Sequence, residues 1–537
     1  MLQNTKILLQ NTKKKHKKTQ KRKKEERVKI INITSTITST DIKPHGYQRE
    51  YQTEELKYLP SLATIKAENA AENAENKDLP TILVVDSICG SGKTEAAIEY
   101  MNSAPSHNRF LYITPYLEEV ERIKDSCPNL NFKSPDINNS KKNKKQGFKE
   151  LFIEGGNIVC THKLFSMFSV KDFGLAKAHN YTLIMDEVAE VIKSYNYDQN
   201  DLYILLNPAF GYVTIGDDGQ IIPNLDSPLF NKLAQKTLTG NKQWLNILYK
   251  TYCGCLYLTG YDKTTIKHFY EEGGKPDELK KNIVMWAFPV DIFKSFKKVF
   301  ILTYMFEGQY QSSYYNFFNL RYNFLKIEKA NNEKYYFVDK LFDPPDNKPP
   351  KEIKKLINIE KNEKINQIGG FYRSKGNKQK IWTALSLGWY QKEENNKEEN
   401  NQDNQLFKKL SNNTYNFFHN KSNCLSSKDL IWTTFVEYKD KIKRPPFSKE
   451  SCFLPCTARA TNKYQNKHNL AYLVNRYMNP AVYSFFKAKG VEPDQDLFAL
   501  SEMVQWIFRS AIRNGEPINL YVPSERMRNL LESWVNS

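Results

Sequence analysis

One short segment, TILVVDSICGSGKTEAAIEY at residues 81–100, constrains the fold of this chain more than any other. Its first five residues are β-branched or apolar and predict a buried strand, whereas the residues from Thr94 onward are rich in Ala, Glu and Ile and predict a helix. Gly90 and Gly92 lie between the two and predict a tight turn. A buried strand that passes through a glycine turn directly into a helix predicts the opening unit of an α/β fold.

The strand-then-helix order recurs in two series along the chain. The first series continues through RFLYIT (109–114), NIVCTHKLF (157–165), YTLIMDEVAEVI (181–192) and GCLYLTG (254–260). The second begins at KVFILTYMFEGQ (298–309) and resumes with SCFLPCTARATN and PINLYVPSERMRNLLESW. Such alternation predicts parallel sheets covered by helices, and we therefore expect an α/β protein with one domain over residues 41–290 and another over residues 291–537.

One polar stretch interrupts the second series. QKEENNKEENNQDNQ, residues 391–405, is too polar to fold, and we expect a polar surface insertion around residues 330–450. With 537 residues, of which 40% are hydrophobic, the chain is nevertheless long enough for two to four domains with cores of their own.

Hydropathy and cysteine usage bear on where such a chain works. No apolar run approaches the ~20 residues that span a bilayer, and the N-terminus lacks the apolar region of a secretory signal. The eight cysteines are scattered, and neither the pair Cys253 and Cys255 nor the pair Cys452 and Cys456 has C-x-x-C spacing. We therefore expect reduced thiols, no membrane partner and a cytoplasmic protein.

The positive charge is concentrated at the N-terminus. The formal net charge is +19, and residues 1–30 hold ten Lys and two Arg against Glu25 and Glu26. Residues 1–40 are therefore predicted to be a disordered basic arm. Such an arm can bind nucleic-acid phosphates or act as a nuclear-import signal. The alternative is that it reflects only a Lys- and Asn-rich composition.

The glycine turn also has the chemistry of a phosphate-binding loop. Its backbone N–H groups and the helix N-terminus can surround a phosphate, Lys93 can reach the β- and γ-oxygens, and the Thr94 hydroxyl can bind Mg²⁺. Ser87 stands where G-x-x-x-x-G-K-[ST] has its first glycine. We therefore predict a nucleotide site formed by Ser87, Gly90, Ser91, Gly92, Lys93 and Thr94. The alternative is a glycine turn that holds no ligand.

A carboxylate pair follows a later apolar strand. In LIMDEVAE, Asp186 and Glu187 come at the carboxyl end of the strand, and ligands bind at that edge of open α/β sheets. Asp186 would hold Mg²⁺, and Glu187 would orient and deprotonate the attacking water. The alternative is an ordinary pair of surface carboxylates.

Three donors recur near the C-terminus. Gln505, Arg509 and Arg513 are spaced i, i+4 and i+8, which places them on one face of a predicted helix. The apolar residues around them predict a packed helix, and so the arginines need an anionic partner. The alternative is a solvated basic face.

These segments, in this order, resemble the motifs of superfamily 2 helicases, in particular the DEAD-like helicases encoded by bacteriophages and related mobile elements. SICGSGKT is similar to the first motif, ITPYLEE and CTHKLF to segments that touch the nucleic-acid backbone, and DEVA to the Walker B pair. LTG at residues 258–260 stands where the family has Ser-Ala-Thr. FILTYMFEGQ, TARATN and QWIFRSAIR are similar to motifs of the second domain, the last with Phe508 in place of a glycine.

The resemblance implies two RecA-like domains with parallel sheets that grip a single strand and hydrolyse ATP, with Mg²⁺, at their interface. The catalytic set would be Glu187, Asp186, Lys93, Arg513, Arg509 and Gln505, with Thr94 and Asp186 on the metal. Contacts to the strand would come from Thr114, Pro115, Thr161, Thr303, Thr457 and Arg459. We expect Arg513 to be the arginine finger and Arg509 to contact a phosphate or a carboxylate of the first domain.

The resemblance also implies partners and a setting. The partner would be nucleic acid, as single-stranded DNA or a DNA fork, together with replication proteins in a bacterial host cell. GYQRE at residues 46–50 is similar to the segment whose glutamine reads adenine in many relatives, but we do not assign it that role. Two rival functions are a packaging-type ATPase-nuclease, as in terminase large subunits, and a nucleic-acid scaffold that binds ATP without turnover.

Overall fold

The computed structural model of this protein describes residues 81–135, 144–168, 181–235, 237–280, 282–342, 347–368, 384–400, 405–458 and 461–537. The predicted basic arm at residues 1–40 and the GYQRE segment lie outside these ranges. The predicted α/β class is confirmed, because the described residues form two sheets of parallel strands with helices packed on them. This arrangement is consistent with two RecA-like domains.

The strands are numbered in chain order within the described ranges. They are β1 Thr81–Asp86, β2 Arg109–Thr114, β3 Ile158–Thr161, β4 Tyr181–Asp186, β5 Ile192–Tyr195, β6 Val213–Ile215, β7 Ile221–Pro223, β8 Leu256–Leu258, β9 Val284–Ala287, β10 Lys298–Thr303, β11 Asn323–Lys329, β12 Tyr335–Phe342, β13 Ile357–Ile359, β14 Leu430–Thr433, β15 Asn469–Tyr472 and β16 Ile518–Tyr521.

The helices are numbered in the same way. They are α1 Lys93–Asn102, α2 Leu117–Ser126, α3 Lys144–Glu154, α4 His162–Phe165, α5 Gln199–Leu206, α6 Pro228–Ala234, α7 Lys242–Tyr252, α8 Lys263–Glu271, α9 Val290–Lys294, α10 Tyr310–Phe317, α11 Lys351–Lys354, α12 Glu363–Asn366, α13 Leu387–Asn400, α14 Gln405–Asn416, α15 Lys439–Ile442, α16 Pro480–Ala488, α17 Gln495–Ile507 and α18 Glu525–Asn536.

The first sheet has the strand order β12-β11-β1-β10-β4-β2-β3. Its neighbouring strands are parallel, except that β11 and β12 form an antiparallel hairpin. The carboxyl ends of β1, β10 and β4 meet at one edge, because Thr303 lies opposite Asp86 and Leu302 lies opposite Asp186. The glycine turn and the carboxylate pair therefore share an edge, as the sequence predicts.

The expected domain boundary near residue 290 is wrong. β10 pairs with β1 on one side and with β4 on the other, and β11 and β12 extend the same sheet. We therefore call residues 81–342 the first lobe and residues 347–537 the second lobe. The error has a physical origin, because a six-residue buried strand carries no signal of which strands will flank it.

Residues 187–297 form an insertion between β4 and β10. It contains the antiparallel sheet β5-β9-β8 and the hairpin of β6 and β7. GCLYLTG was expected to close the first parallel series, but it gives β8, which pairs antiparallel with β9. Thr259 consequently belongs to the insertion rather than to the edge that carries the glycine turn.

The second lobe is built on a sheet of order β13-β16-β15-β14, in which neighbouring strands are parallel. The expected polar insertion is only partly correct, because residues 391–400 are helical as part of α13. Trp389 and Tyr390, just before the polar run, are fully buried and anchor this helix on the core of the second lobe. Glu393 is also buried and accepts a hydrogen bond from the backbone N–H of Leu406 (2.9 Å).

Helix α16 joins the two lobes. It follows β15 of the second lobe, yet Val482, Phe485 and Phe486 pack into the apolar core of the first lobe. Within the described ranges, we find no helix that is both long and apolar enough to cross a membrane.

Candidate nucleotide site between the lobes

The glycine turn is wound as a phosphate-binding loop requires. Gly90 and Gly92 have φ angles of 82° and 89°, in the left-handed region that glycine adopts without strain. Gly92 is the N-cap residue of α1, and so the free N–H groups of the first helical turn face the loop. The Lys93 ammonium folds back and donates to the carbonyls of Ser87 (2.5 Å) and Ile88 (3.0 Å). The loop and its lysine thus form a compact positive concavity.

The predicted magnesium ligands lie side by side. The Thr94 hydroxyl donates to Asp186 Oδ2 over 3.3 Å, and the Tyr112 hydroxyl donates to the same oxygen over 3.4 Å. Burial, followed by the neighbouring Glu187 charge, raises the pKa of Asp186 to about 7. A hydroxyl and a carboxylate are ligands that Mg²⁺ accepts, and it usually completes its shell with phosphate oxygens and water. The residues present therefore fit a magnesium ion that is bound together with a nucleotide.

Glu187 has an unusual backbone. Its φ of 68° lies in the left-handed region, which is uncommon for a residue other than glycine and costs about 1–3 kcal/mol. The conformation is fixed by its N–H, which donates to Leu302 of β10 (2.9 Å). The carboxylate Oε1 lies 3.7 Å from Nη2 of Arg509 in the second lobe, and Oε2 is buried with no hydrogen bond to any part of the chain that the structure describes. The carboxylate is therefore directed toward the boundary between the lobes.

The predicted helix that carries Gln505, Arg509 and Arg513 is wrong in its extent. Helix α17 ends at Ile507, and Arg513 lies in a separate 3₁₀ turn, Ala511–Asn514. The chain leaves the helix because the N–H of Ala511 donates to the carbonyl of Lys467, next to β15 (3.0 Å). The three residues therefore do not share a helical face.

The two arginines are nevertheless close together. Arg509 is only 3% exposed, and its Nε and Nη2 atoms find no hydrogen-bond acceptor among the residues that the structure describes. Burial, and next the positive charge of Arg509, lower the pKa of Arg513, whereas the nearby Cys89 acts in the opposite direction. The Nε2 group of Gln505 donates to the Tyr304 carbonyl (3.4 Å). Two guanidinium groups of the second lobe thus lie near the glycine turn.

Four of the residues predicted to touch a nucleic-acid strand lie in the first lobe. Thr114 ends β2 and is fully buried, whereas Thr161 caps α4 by accepting from the N–H of Leu164 (3.4 Å). Pro115 directly follows β2. Thr303 was placed in the second domain, but it ends β10 in the first sheet, and it is fully buried. These residues share one edge of the first sheet.

The remaining predicted strand contacts belong to the second lobe. Thr457 is exposed, and Arg459 lies outside the described residues. Their roles stay predictions.

Sequence reasoning missed a group of residues that connects these parts. Asp86 accepts hydrogen bonds from the N–H groups of Met305 (2.7 Å) and Phe306 (2.8 Å), and its burial raises its pKa to about 6. Gln311 accepts from the N–H of Ala189, beside the carboxylate pair (2.9 Å). The position of Asp86 at the end of a buried strand was a sequence signal for its contact with residues 305 and 306. No local sequence feature predicts the contact between Gln311 and Ala189.

The same connecting segment reaches the second lobe. Gln309 donates to the Ser501 hydroxyl of α17 over 2.6 Å, and both groups are buried. Ile88 and Cys89 of the glycine turn also pack against the apolar core of the second lobe. The phosphate-binding loop, the carboxylate pair and α17 are thus in mutual contact through residues 303–311.

Comparison with known proteins gives one family and one close relative. The family described as the YonV C-terminal Rossmann-like domain matches residues 351–535, which agrees with the start of the second lobe found in the fold. The SPbeta prophage-derived protein YonV of Bacillus subtilis strain 168 is 36% identical over 463 residues, which cover 85% of this chain and 99% of the relative. Among solved structures, S. tokodaii Xpd4 is 11% identical, with 88% of this chain and 96% of that chain covered at a TM-score of 0.36. That TM-score is too low to support an argument.

Proposed function

The chain belongs to the YonV family, and we propose that it is a nucleic-acid-dependent ATPase that works as a helicase or translocase. One observation carries the proposal: a buried arginine of the second lobe, Arg509, lies 3.7 Å from Glu187 of the first lobe, beside a phosphate-binding loop. Catalytic groups from two lobes that meet at one nucleotide site allow hydrolysis to depend on how the lobes are arranged.

Each residue has a defined task in this proposal. The N–H groups around Gly90 and Gly92, together with Lys93, bind the phosphates. Thr94 and Asp186 hold Mg²⁺, which when bound neutralises charge on the β- and γ-phosphate oxygens. Glu187 orients the attacking water and accepts its proton, since within the described ranges its second oxygen makes no hydrogen bond.

The second lobe completes the site. Arg513 stabilises negative charge as it develops on the transferred phosphoryl group, and Arg509 holds the Glu187 carboxylate in place. Among the described residues, Arg509 Nε and Nη2 have no acceptor, and this supports a second role on a phosphate oxygen. Both contacts require the lobes to stay together during the chemical step.

The nucleic-acid part of the proposal is supported by the edge of the first sheet and by charge. Residues 1–30 carry a net charge of +10, which suits the phosphates of a nucleic-acid strand. The proposed partner is single-stranded DNA or a DNA fork. The kinship with a prophage protein favours a role in phage or plasmid DNA replication or recombination in the host cytoplasm.

An ATPase assay tests the proposal. Purified protein is expected to hydrolyse ATP faster when single-stranded DNA, double-stranded DNA or RNA is added, and the comparison of these polymers identifies the partner. The variant Glu187→Gln keeps the size of the side chain but cannot accept a proton, and it should bind ATP without turnover. ATP binding by the wild-type protein with no hydrolysis on any polymer would leave only the scaffold function.

A further inference from the structure

The β11–β12 hairpin lies beside the phosphate-binding loop. Because β11 runs parallel to β1, its last residue Lys329, the turn at residues 330–334 and the first residue of β12, Tyr335, lie at the same edge of the sheet as the loop. The strand order places this hairpin on one side of β1, and β10 and β4 on the other. The hairpin and the carboxylate pair therefore flank the loop from opposite sides.

The ring of Tyr335 packs on the loop itself. A Cβ atom at Gly92 would come within 2.4–2.6 Å of Cδ1, Cγ and Cε1 of Tyr335, so the ring rests against this glycine. Lys334 holds the hairpin on α1 through an ion pair with Glu99 (2.9 Å). Tyr335 is only partly buried, with part of its ring against the core of the first lobe. The ring thus packs on Gly92 and the core of the first lobe, and part of it remains accessible to solvent.

The hairpin on one side of the loop and the carboxylate pair on the other set the direction in which a bound nucleotide would lie. In the proposed function, Thr94 and Asp186 would hold the metal, and with it the β- and γ-phosphates, on the β4 side of the loop. A triphosphate that ends there must place its nucleoside on the other side of β1, where the β11–β12 hairpin lies. Aromatic side chains stack on nucleobases through their π faces.

We infer that Tyr335 is the platform on which the base of the bound nucleotide stacks, a conclusion that rests on the proposed function. The large face of a purine suits a tyrosine ring better than a pyrimidine does. The Lys329 ammonium lies 6.0 Å from the ring centroid, at the outer limit of a cation–π contact, and it also forms an ion pair with Glu333. Of the described residues, Lys329 is the cation near this ring, and it does not pack closely on it.

Titration calorimetry with two ligands tests the inference. ATP and inorganic tripolyphosphate, each with Mg²⁺, are titrated into the full chain and into Tyr335→Ala, Tyr335→Phe and Tyr336→Ala. Tyr335→Ala should bind ATP roughly 5- to 150-fold more weakly, as expected for a lost stack, and should bind tripolyphosphate as the wild type does. Tyr335→Phe keeps the ring and should bind both ligands normally.

The neighbour Tyr336 provides the matched control. Its side chain lies on the opposite face of the strand and accepts from Asn332 (3.0 Å), so Tyr336→Ala should leave both affinities unchanged. Equal ATP affinity in Tyr335→Ala and wild type would overturn the inference while leaving the proposed function intact. Equal loss of both ligands in Tyr335→Ala would also overturn it, because the ring would then only shape the loop. A wild-type protein that binds neither ligand would overturn the proposed function as well.

Discussion

The two lobes carry the same kind of parallel sheet, but the carboxyl edges of these sheets differ. In the first lobe, β1 ends in a glycine turn with positive φ angles, which leaves N–H groups directed at a concavity. In the second lobe, β15 is followed by Arg476, which is largely buried and forms an ion pair with the buried Glu502 of α17 (3.2 Å). Arg526 then donates to the carbonyl of Arg476 (2.6 Å) and to Asn475 (3.0 Å).

The difference teaches that the residues after a strand, rather than the sheet, decide what its edge can bind. Side chains of the second lobe close its own edge, whereas backbone groups of the first lobe leave the edge open for a phosphate. In the proposed function, the second lobe contributes to the site of the first through Arg509 and Arg513. Four predictions test this division of roles, from the largest expected effect to the smallest.

Replacing Lys93 should have the largest effect. Lys93→Ala removes the ammonium group that would contact the β- and γ-phosphates. ATP turnover should therefore fall to background while the fold stays intact. A steady-state ATPase assay and a circular dichroism spectrum check this. Lys267→Ala, at an exposed lysine of α8 in the insertion, is the control for general loss of positive charge. Normal turnover in Lys93→Ala would contradict a phosphate site at the carboxyl edge of the first sheet.

The arginines test whether the second lobe acts on the first. Arg513→Ala should keep near-normal ATP affinity and strand binding, but should lose roughly 10³–10⁵ in strand-stimulated hydrolysis, as an arginine finger does. Arg509→Ala should lose part of the rate, because Glu187 loses its partner at 3.7 Å. Separate measurements of nucleotide affinity and turnover decide between ground-state and transition-state roles. Normal stimulated rates in both variants would refute a shared site.

The closed edge of the second lobe predicts a stability effect. Glu502→Gln leaves the Arg476 guanidinium buried without its counter-charge, which should lower the free energy of unfolding by about 3–5 kcal/mol. Chemical denaturation of this variant and of wild type measures the change. Glu492→Gln, which breaks an exposed ion pair with Lys487, should cost less than about 1 kcal/mol. Similar losses in the two variants would show that the edge is not closed by this pair.

Removal of residues 1–28 should have the smallest effect on the site. It should weaken nucleic-acid binding and flatten the slope of log affinity against log salt, because fewer counterions are released. Basal ATPase activity should persist, since the deleted residues precede β1. An unchanged slope would assign the whole electrostatic contribution to the two lobes.

Much of the first lobe's edge could be predicted from the sequence because its signals are local. The glycine turn, Lys93, Thr94 and the carboxylates that end β4 all follow from neighbours within a few residues. The position of β10 could not be predicted, because strand order depends on long-range pairing that an apolar run does not encode. The second lobe illustrates the same limit. Helical spacing predicted one face for Arg509 and Arg513, but the helix ends before both residues, where the N–H of Ala511 donates to the carbonyl of the distant Lys467.

Helix α16 limits how the two lobes can move. Its N-terminal Asn479 donates a backbone hydrogen bond to the Tyr310 hydroxyl (2.7 Å), and Phe485 packs edge-on against Phe317 with ring centroids 5.3 Å apart. Pulling Val482, Phe485 and Phe486 into water would cost about 1.5–3 kcal/mol for each side chain. Separating the lobes at α16 would expose all three side chains at once, so a rearrangement that keeps this helix packed costs less than one that pulls it out of the first lobe.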